Sequence, residues 1–249
     1  MLTGKLYPGS GPRPGTGCRP RPGSGTGCRP RSWQAGGVHP SDTVQPIILR
    51  VDKEEPAAHC DAIAAAAVAG VLAYANRTGD EAWEDWVSGR FTKTVRRAGP
   101  KPFAKLCAQA PSGVVKIGRA EAAAFEPQRY EDMPRALRAL QVSGTVLPHT
   151  DPASVTPGSP VIVLNADLSM STGKAAAQAA HALLAWFLEL DPAQQQQWAA
   201  RPGTGVQEVP QRSFVTLHGR PGSGPLIVDA GLTEIDPGTA TAFVAAPVS

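Results

Sequence analysis

Two stretches of the chain share one order of apolar and polar positions, and they begin 114 residues apart, at positions 46 and 160. Each stretch has a short apolar run, then polar or small residues, and then a long Ala-rich run. A short apolar run predicts a buried strand, and an Ala-rich run predicts a helix. A segment containing Trp follows each Ala-rich run, at 81–90 and 194–203. The pattern therefore predicts two similar halves.

Strands and helices are predicted to alternate in both halves. In the first half, the pattern predicts strands at 46–51, 91–97 and 113–125, and helices at 58–77, 80–88, 101–109 and 132–141. In the second half, it predicts strands at 160–165, 205–209, 225–228 and 239–245, and helices at 172–190 and 211–218. The last of these helices could instead be a strand, because Phe, Val and Thr favour strands. Parallel strands joined by helices indicate the α/β class, so each half is predicted to be a small mixed sheet flanked by helices.

The composition divides the chain into four segments. Residues 1–45 are rich in Gly, Pro and Arg, which predicts a disordered tail because such a sequence buries little apolar surface. The tail is either an extended start without function or a flexible segment that binds RNA. Residues 46–143 form the first half, 144–159 a linker rich in Pro, Ser and Thr, and 160–249 the second half.

The positive charge of the chain is concentrated at its start. The formal net charge is +3, but residues 1–40 hold six basic residues and no acid, so the remainder sums to −3. A contact between this remainder and nucleic acid would therefore need a local basic patch. Residues 86–120 hold no acid, and their basic residues are Arg90, Lys93, Arg96, Arg97, Lys101, Lys105, Lys116 and Arg119. This segment is either an ordinary solvated surface or a platform for phosphates.

The four cysteines indicate neither a disulfide framework nor a zinc motif. None forms a C-x-x-C pair, and no His is spaced to complete a zinc set. A reducing, cytoplasmic location is the resulting expectation. The first residues lack the apolar segment of a signal peptide, and the apolar run at 62–75 is shorter than the ~20 residues that span a membrane. We expect no membrane segment.

The first candidate site is "DLSMSTGKAAAQAAHA", residues 167–182. It is not a P-loop, because that loop needs a Gly five residues before the Gly-Lys pair and a Ser or Thr after the Lys. Lys174, Gln178 and His181 are spaced i, i+4 and i+7, so one helical face presents all three. Ser171 is a candidate N-cap, and the N-terminus of the helix would favour an anion beside Lys174. The alternative is a surface Lys, a solvated Gln and a capped His.

The second candidate site is "DAGLTEIDPGTAT", residues 229–241. A predicted strand ends just before Asp229, and an Asp at a strand end is well placed for a site above a sheet edge. Asp-Ala-Gly could equally be a plain turn. The two sequences together resemble the motifs of the peptidyl-tRNA hydrolase type 2 family, over about residues 160–247. The first half resembles that family only in its hydrophobic pattern.

The resemblance implies a metal-independent hydrolase that cleaves the ester between a peptide and tRNA, with no cofactor. It implies Lys174, Asp229 and Thr233 as catalytic residues, and Gln178, His181 and Thr241 as substrate-binding residues. The family often has Arg and Gln where this chain has Leu232 and Glu234. Its Gly-Gln-x-Lys segment is also absent near Trp198. The alternative function is therefore a nonenzymatic relative that binds RNA or protein.

The first half is expected to lack catalytic activity. At the offset of 114, Cys60 takes the position of Lys174 and Ala64 that of Gln178. Cys60 as a nucleophile is the alternative, although the neighbouring His59 would point away from it on a helix. We expect this half to bind tRNA phosphates through Arg96, Arg97 and Lys101. We also expect the halves to pack as a pseudo-dimer, which would make the protein a monomer or a weak dimer.

Overall fold

A computed structural model describes residues 42–77, 81–89, 91–229 and 235–245, together with the backbone of residues 32–35. Its strands and helices form two mixed sheets, each with a long helix against one face. This architecture confirms the predicted α/β class and the arrangement of two sheets flanked by helices. Within the part of the chain that the structure describes, no helix combines the length and apolar character needed to cross a membrane.

The first sheet is built from residues of the first half. Its strands are β2 (Thr43–Arg50), β3 (Lys93–Ala98), β4 (Gly113–Ile117) and β5 (Ala120–Ala124), in the order β3-β2-β5-β4, and the short β6 (Gln128–Arg129) pairs with β2. Only the β2–β3 pair among these is parallel. The helices are α1 (His59–Ala75), α2 (Glu81–Ser88), α3 (Pro100–Cys107) and α4 (Arg135–Arg138).

The second sheet is built mainly from the second half. Its strands are β7 (Val161–Asn165), β8 (Gly205–Val209), β9 (Leu226–Asp229) and β10 (Ala240–Ala245), and the early strand β1 (Ser32–Ala35) pairs with β9. The order is β1-β9-β10-β7-β8, with β7 and β8 parallel. The helices are α5 (Thr172–Glu189), α6 (Pro192–Ala200) and α7 (Gln211–His218).

The two sheets share one topology. The order β3-β2-β5-β4 in the first half corresponds to β8-β7-β10-β9 in the second, with the parallel pair at the same end. A helix pair joins the parallel strands in each half, α1 and α2 in the first and α5 and α6 in the second. The structure therefore has the similar halves that the repeated pattern predicts, with equivalent connections.

The core lies where the two Ala-rich helices meet. α1 packs against β4 and β5 and also against α5, while α5 packs against β7, β10 and the first-half strand β3. Nearly all of α1 is buried, and Ala176, Ala179 and Ala180 on α5 have no exposed surface. Small side chains let the helices approach each other closely, so the two halves share a single apolar cluster.

Four predicted features differ from the structure. The segment 113–125 is a hairpin, β4 and β5, which turns at Gly118 with φ of 54°. The predicted helix 132–141 shrinks to α4, which ends at Arg138 and starts only after Pro134, because a residue that precedes a proline cannot easily be helical. The pattern did not predict α6, although Asp191 forms a capping box at its start. Within the predicted tail, residues 32–35 form β1 and β2 begins at Thr43; residues 1–31 and 36–41 lie outside the described residues.

Candidate active site

The start of α5 holds the first part of the site. The side chain of Ser171 accepts a hydrogen bond from the backbone N–H of Lys174 (3.3 Å), which confirms the predicted N-cap. The linker lies over this helix end, because the N–H of Gly173 donates to the carbonyl of Thr145 at 3.2 Å. The Lys174 side chain is 13% exposed. The linker and the cap together fix where the Lys174 side chain leaves the helix.

The last residue of β9 supplies the second part of the site. Asp229 is buried, and its carboxylate forms an ion pair with the ammonium of Lys174. Its backbone N–H donates to Thr239 (2.9 Å), and its carbonyl accepts from Gly238 (2.8 Å). These two bonds hold Gly238 and Thr239 against the end of β9. The structure thus brings together the two groups that the motifs place 55 positions apart in the sequence.

Gln178 and Thr241 hold the carboxylate in place. The Gln178 amide donates to Asp229 Oδ2 at 2.6 Å, and its own oxygen accepts from the Thr241 hydroxyl at 2.9 Å. The hydroxyl also lies 3.2 Å from the carbonyl of Ile227. Because an ionised carboxylate only accepts hydrogen bonds, the amide nitrogen of Gln178 faces it, and Asp229 has a neutral donor beside its charged partner. Burying a carboxylate is costly unless it is paired and hydrogen-bonded in this way.

His181 lies apart from this network. It is 5% exposed, its Nδ1 is 2.8 Å from the carbonyl of Ala177, and its ring is 5.6 Å from that of Phe91. Burial lowers the pKa of His181 well below its ordinary value, and the ammonium of Lys93 lowers it further. The imidazole is therefore neutral near pH 7 and belongs to the junction between the halves. We accordingly leave His181 out of the substrate contacts proposed below.

Residues 230–234 of the second motif lie outside the described residues. They include Thr233, the third predicted catalytic residue, and the two departures from the family pattern, Leu232 and Glu234. The predicted role of Thr233 stays a prediction.

The prediction that Arg96 binds phosphate is corrected by its burial. It is 1% exposed, and its guanidinium donates to the carbonyls of Leu137, Arg138 and Leu140 at 3.1–3.4 Å. The strand pattern alone does not reveal this burial. A side chain enclosed in this way supports the end of α4 and cannot reach a phosphate in solvent.

The other basic residues of the 86–120 segment divide into three groups. Lys93 is buried, and its ammonium lies against the rings of Trp86 and Phe91. Arg97 is half-buried and donates to the carbonyl of Gly144 at 2.7 Å, which anchors the start of the linker. The exposed residues are Lys101, Lys105, Lys116 and Arg119. Arg90 lies outside the described residues.

Replacing Arg96 with methionine should lower the free energy of unfolding by about 1–3 kcal/mol, because buried carbonyls at the end of α4 lose their donor. The KM for substrate should not change at a temperature where the variant is folded. Denaturant unfolding and steady-state kinetics measure the two quantities. A large rise in KM with unchanged stability would restore Arg96 to the phosphate-binding surface.

Cys60 occupies the position in α1 that corresponds to Lys174 in α5. Burial raises the pKa of its thiol to about 11, and the carboxylates of Glu208 and Asp61 add to the effect. Only the thiolate is nucleophilic, so this environment argues against the alternative of a Cys60 nucleophile.

Alkylation of Cys60 by iodoacetamide should be slow at pH 7.5 and rise about tenfold per pH unit as the pH approaches the thiol pKa. Peptide mapping by mass spectrometry separates Cys60 from the other three cysteines. Rapid modification at neutral pH, accompanied by loss of activity, would support the nucleophile instead.

Comparison with protein families agrees with the motif in α5. The family model described as peptidyl-tRNA hydrolase PTH2 matches residues 159–212. The match begins just before β7, contains Lys174, Gln178 and His181, and ends at the start of α7. The resemblance to this family is thereby confirmed for the segment in the C-terminal half. The match does not extend to Asp229 or Thr241, nor to the first half.

Proposed function

We propose that the second half hydrolyses the ester bond between the peptide and the tRNA of peptidyl-tRNA. The carrying observation is the contact between the Lys174 ammonium and the Asp229 carboxylate, which Gln178 and Thr241 hold at the junction of α5 and β9. The family match over residues 159–212 supports the class of reaction. Asp229 and Thr241 lie beyond the matched segment, so their contacts with Lys174 and Gln178 are an observation separate from the family match.

Asp229 is the proposed base in this reaction. Its carboxylate accepts a proton from a water molecule while the water oxygen attacks the ester carbonyl carbon. The resulting tetrahedral intermediate then expels the ribose oxygen, which takes up the proton as the C–O bond breaks. The products are a peptide with a free carboxylate and tRNA with a free ribose hydroxyl. Thr233 is proposed to position the water, as the family resemblance implies.

Lys174 is proposed to stabilise the oxygen that becomes negative in the intermediate. A fixed cation beside a developing oxyanion lowers the barrier, most effectively where water is largely excluded. The ion pair supports this role over binding of a distant phosphate, because it places the ammonium directly beside the proposed base. One reacting carbonyl can therefore lie against both groups. The low exposure of the Lys174 side chain adds to the exclusion of water.

Release of labelled peptide from peptidyl-tRNA tests the proposal. The full chain should release the peptide and leave intact tRNA, and the Asp229→Asn variant should not. Binding of tRNA by the full chain without any release would instead favour the nonenzymatic relative. A chain that neither releases peptide nor binds tRNA would contradict both hydrolysis and RNA binding.

The exposed residues of α3 are the remaining candidates for a tRNA contact in the first half. Replacing Lys101 and Lys105 together with glutamate should raise KM, leave kcat nearly unchanged, and lower the slope of log affinity against log salt by about 1–2. Each lost phosphate contact removes about one counterion from that slope. Lys116→Glu with Arg119→Glu is the matched control for charge, because both residues lie on the β4–β5 hairpin and not on α3. Equal effects in both pairs would indicate a general charge effect and no defined surface.

The proposed oligomeric state is a monomer or a weak dimer. The two halves already pack against each other through α1 and α5 within one chain, which supports the predicted pseudo-dimer. The proposed location is the cytoplasm, where peptidyl-tRNA is produced. Light scattering that gives a stable tetramer would contradict the proposed state.

A further inference from the structure

A cluster of two imidazoles and one carboxylate joins three parts of the fold. His59 is the first residue of α1, Glu208 lies in β8, and His149 lies in the linker between the halves. His59 Nε2 is 3.3 Å from one carboxylate oxygen of Glu208, and His149 Nδ1 is 3.4 Å from the other. The two rings stack with their centroids 4.0 Å apart. None of the three residues contributes to the Lys174–Asp229 site.

The linker is held on both sides of His149. The carbonyl of Pro148 accepts from the backbone N–H of His59 at 2.8 Å. The backbone N–H of Ala153 donates to the carboxylate of Asp61 at 2.9 Å. The backbone of the linker is therefore fixed beside the cluster, although the His149 side chain is 65% exposed. The exposed His149 side chain can therefore change its orientation, while its backbone stays beside His59 and Glu208.

The spacing of the ligand atoms fits a small divalent cation. One ligand atom from each of the three residues lies within 4.8 Å of the others. With metal–ligand bonds of about 2.0–2.2 Å, neighbouring ligands of a tetrahedral zinc site are roughly 3.3–3.6 Å apart. Each nitrogen lies at about this distance from a different oxygen of Glu208. Tetrahedral binding through one oxygen therefore requires the exposed His149 ring to turn out of its stack with His59. Two imidazoles and a carboxylate are also a donor set that zinc prefers.

An outer hydrogen bond orients the buried imidazole. His59 is 1% exposed, and its Nδ1 lies 3.0 Å from the hydroxyl of Thr172. That hydroxyl accepts from the backbone N–H of Leu147 at 2.9 Å, and its second lone pair can accept from Nδ1–H. In this tautomer the lone pair of Nε2 faces the Glu208 carboxylate, and a cation between them would satisfy both groups; in the other tautomer Nε2–H donates to Glu208 directly. Metal-bound imidazoles usually donate their other N–H to an outer partner in this way.

We propose that His59, His149 and Glu208 bind a zinc-class divalent cation, with a water molecule in the fourth position. The ion would tie the linker to the first residue of α1 and to β8. Thr172, which contacts both His59 and the linker, is the first residue of the helix that carries Lys174. The bound ion thus stabilises the junction of the two halves and takes no part in the ester chemistry.

Titration of the full chain with Co²⁺ and Zn²⁺ tests this site. Both experiments use a Cys18→Ser/Cys28→Ser background, so that thiols of the first 45 residues do not bind the metal. Co²⁺ should give the visible absorption of a tetrahedral complex at one ion per chain, and Zn²⁺ should displace it. Zn²⁺ should also raise the Tm.

His149→Ala is the decisive variant, because its exposed side chain can be removed with little effect on folding. Loss of an outer partner usually weakens metal binding by about 10- to 100-fold, so loss of a direct ligand should weaken it by more than about 100-fold. His218→Ala is the matched control, since His218 lies on α7 against Phe243, and it should bind the metal unchanged. Absence of saturable binding, or equal binding by His149→Ala, would show that the cluster is only a hydrogen-bonded ion pair.

Discussion

Replacing Lys174 with methionine should lower the rate of peptidyl-tRNA hydrolysis by about 100- to 1000-fold, the usual effect of removing one well-placed electrostatic group. Lys174 is proposed to stabilise the developing oxyanion and also pairs with the proposed base. Its loss therefore removes the cation beside the oxyanion and also changes the surroundings of the proposed base, Asp229. Single-turnover release of labelled peptide measures the effect on the chemical step directly. A variant that keeps more than about half of the wild-type rate would show that the active site lies elsewhere.

Stability separates this effect from simple misfolding. The Asp229 side chain is 1% exposed, so Lys174→Met leaves a buried carboxylate without its cation. Breaking a buried ion pair typically costs about 3–5 kcal/mol, and the partial exposure of Lys174 favours the lower end of this range. The double variant Lys174→Met/Asp229→Asn removes both charges and should recover much of the lost free energy of unfolding.

The double variant should stay inactive in spite of its recovered stability. The side-chain amide that replaces the Asp229 carboxylate would still accept the hydrogen bond of Gln178, so the network that includes Thr241 remains. A stable, inactive double variant beside a less stable, inactive single variant would assign the loss of activity to chemistry. Recovery of activity together with stability would instead show that the pair only supports the fold.

The sequence predicted those parts of the fold that depend on local patterns. The helix over 172–190 and the strand over 205–209 agree with α5 and β8, because a long Ala-rich run favours a helix and the alternation in GVQEV favours a strand. The hairpin of β4 and β5 was predicted as one strand, because the turn at Gly118 leaves little trace in an otherwise strand-like segment. The later start of α4 reflects the restriction that Pro134 imposes on the residue before it.

The candidate site was predicted to the extent that its residues belong to two motifs. Those motifs named Lys174, Asp229, Gln178 and Thr241, which the structure places in one network. The burial of Arg96 could not be predicted, since it depends on carbonyls 41–44 residues away. The cluster of His59, His149 and Glu208 escaped the search for metal motifs for the same reason. Its members come from two halves and a linker, so no short spacing reveals them.

Replacing Gly113 with alanine should destabilise the whole protein, although Gly113 lies in the half that lacks the proposed catalytic residues. A Cβ atom at this position of β4 would lie 2.5 Å from the carbonyl oxygen of Ala69 and 3.0 Å from the backbone nitrogen of Ala73, both on α1. Backbone atoms cannot rotate away as a flexible side chain can, so β4 and α1 must separate. Overpacking of this kind costs about 1–3 kcal/mol, and occasionally more.

Gly99→Ala is the matched control in the same half. A Cβ atom at Gly99 would meet nothing within 4 Å, and the backbone φ of −67° suits alanine. Alanine is a weaker N-cap for α3, but it also restricts the unfolded chain, and these opposing effects are each about 1 kcal/mol or less. The control should therefore unfold close to the wild-type midpoint.

The Gly113→Ala variant should also lose its activity at the same denaturant concentration at which its secondary structure unfolds. α1 packs on β4 with one side and on α5 with another, so separation of α1 from its sheet removes support from the helix that carries Lys174. Circular dichroism and peptide release, followed across one denaturant series, should give coincident transitions. If the first half unfolds at lower denaturant while release continues, the halves are independent. In that case α1 does not support the active site.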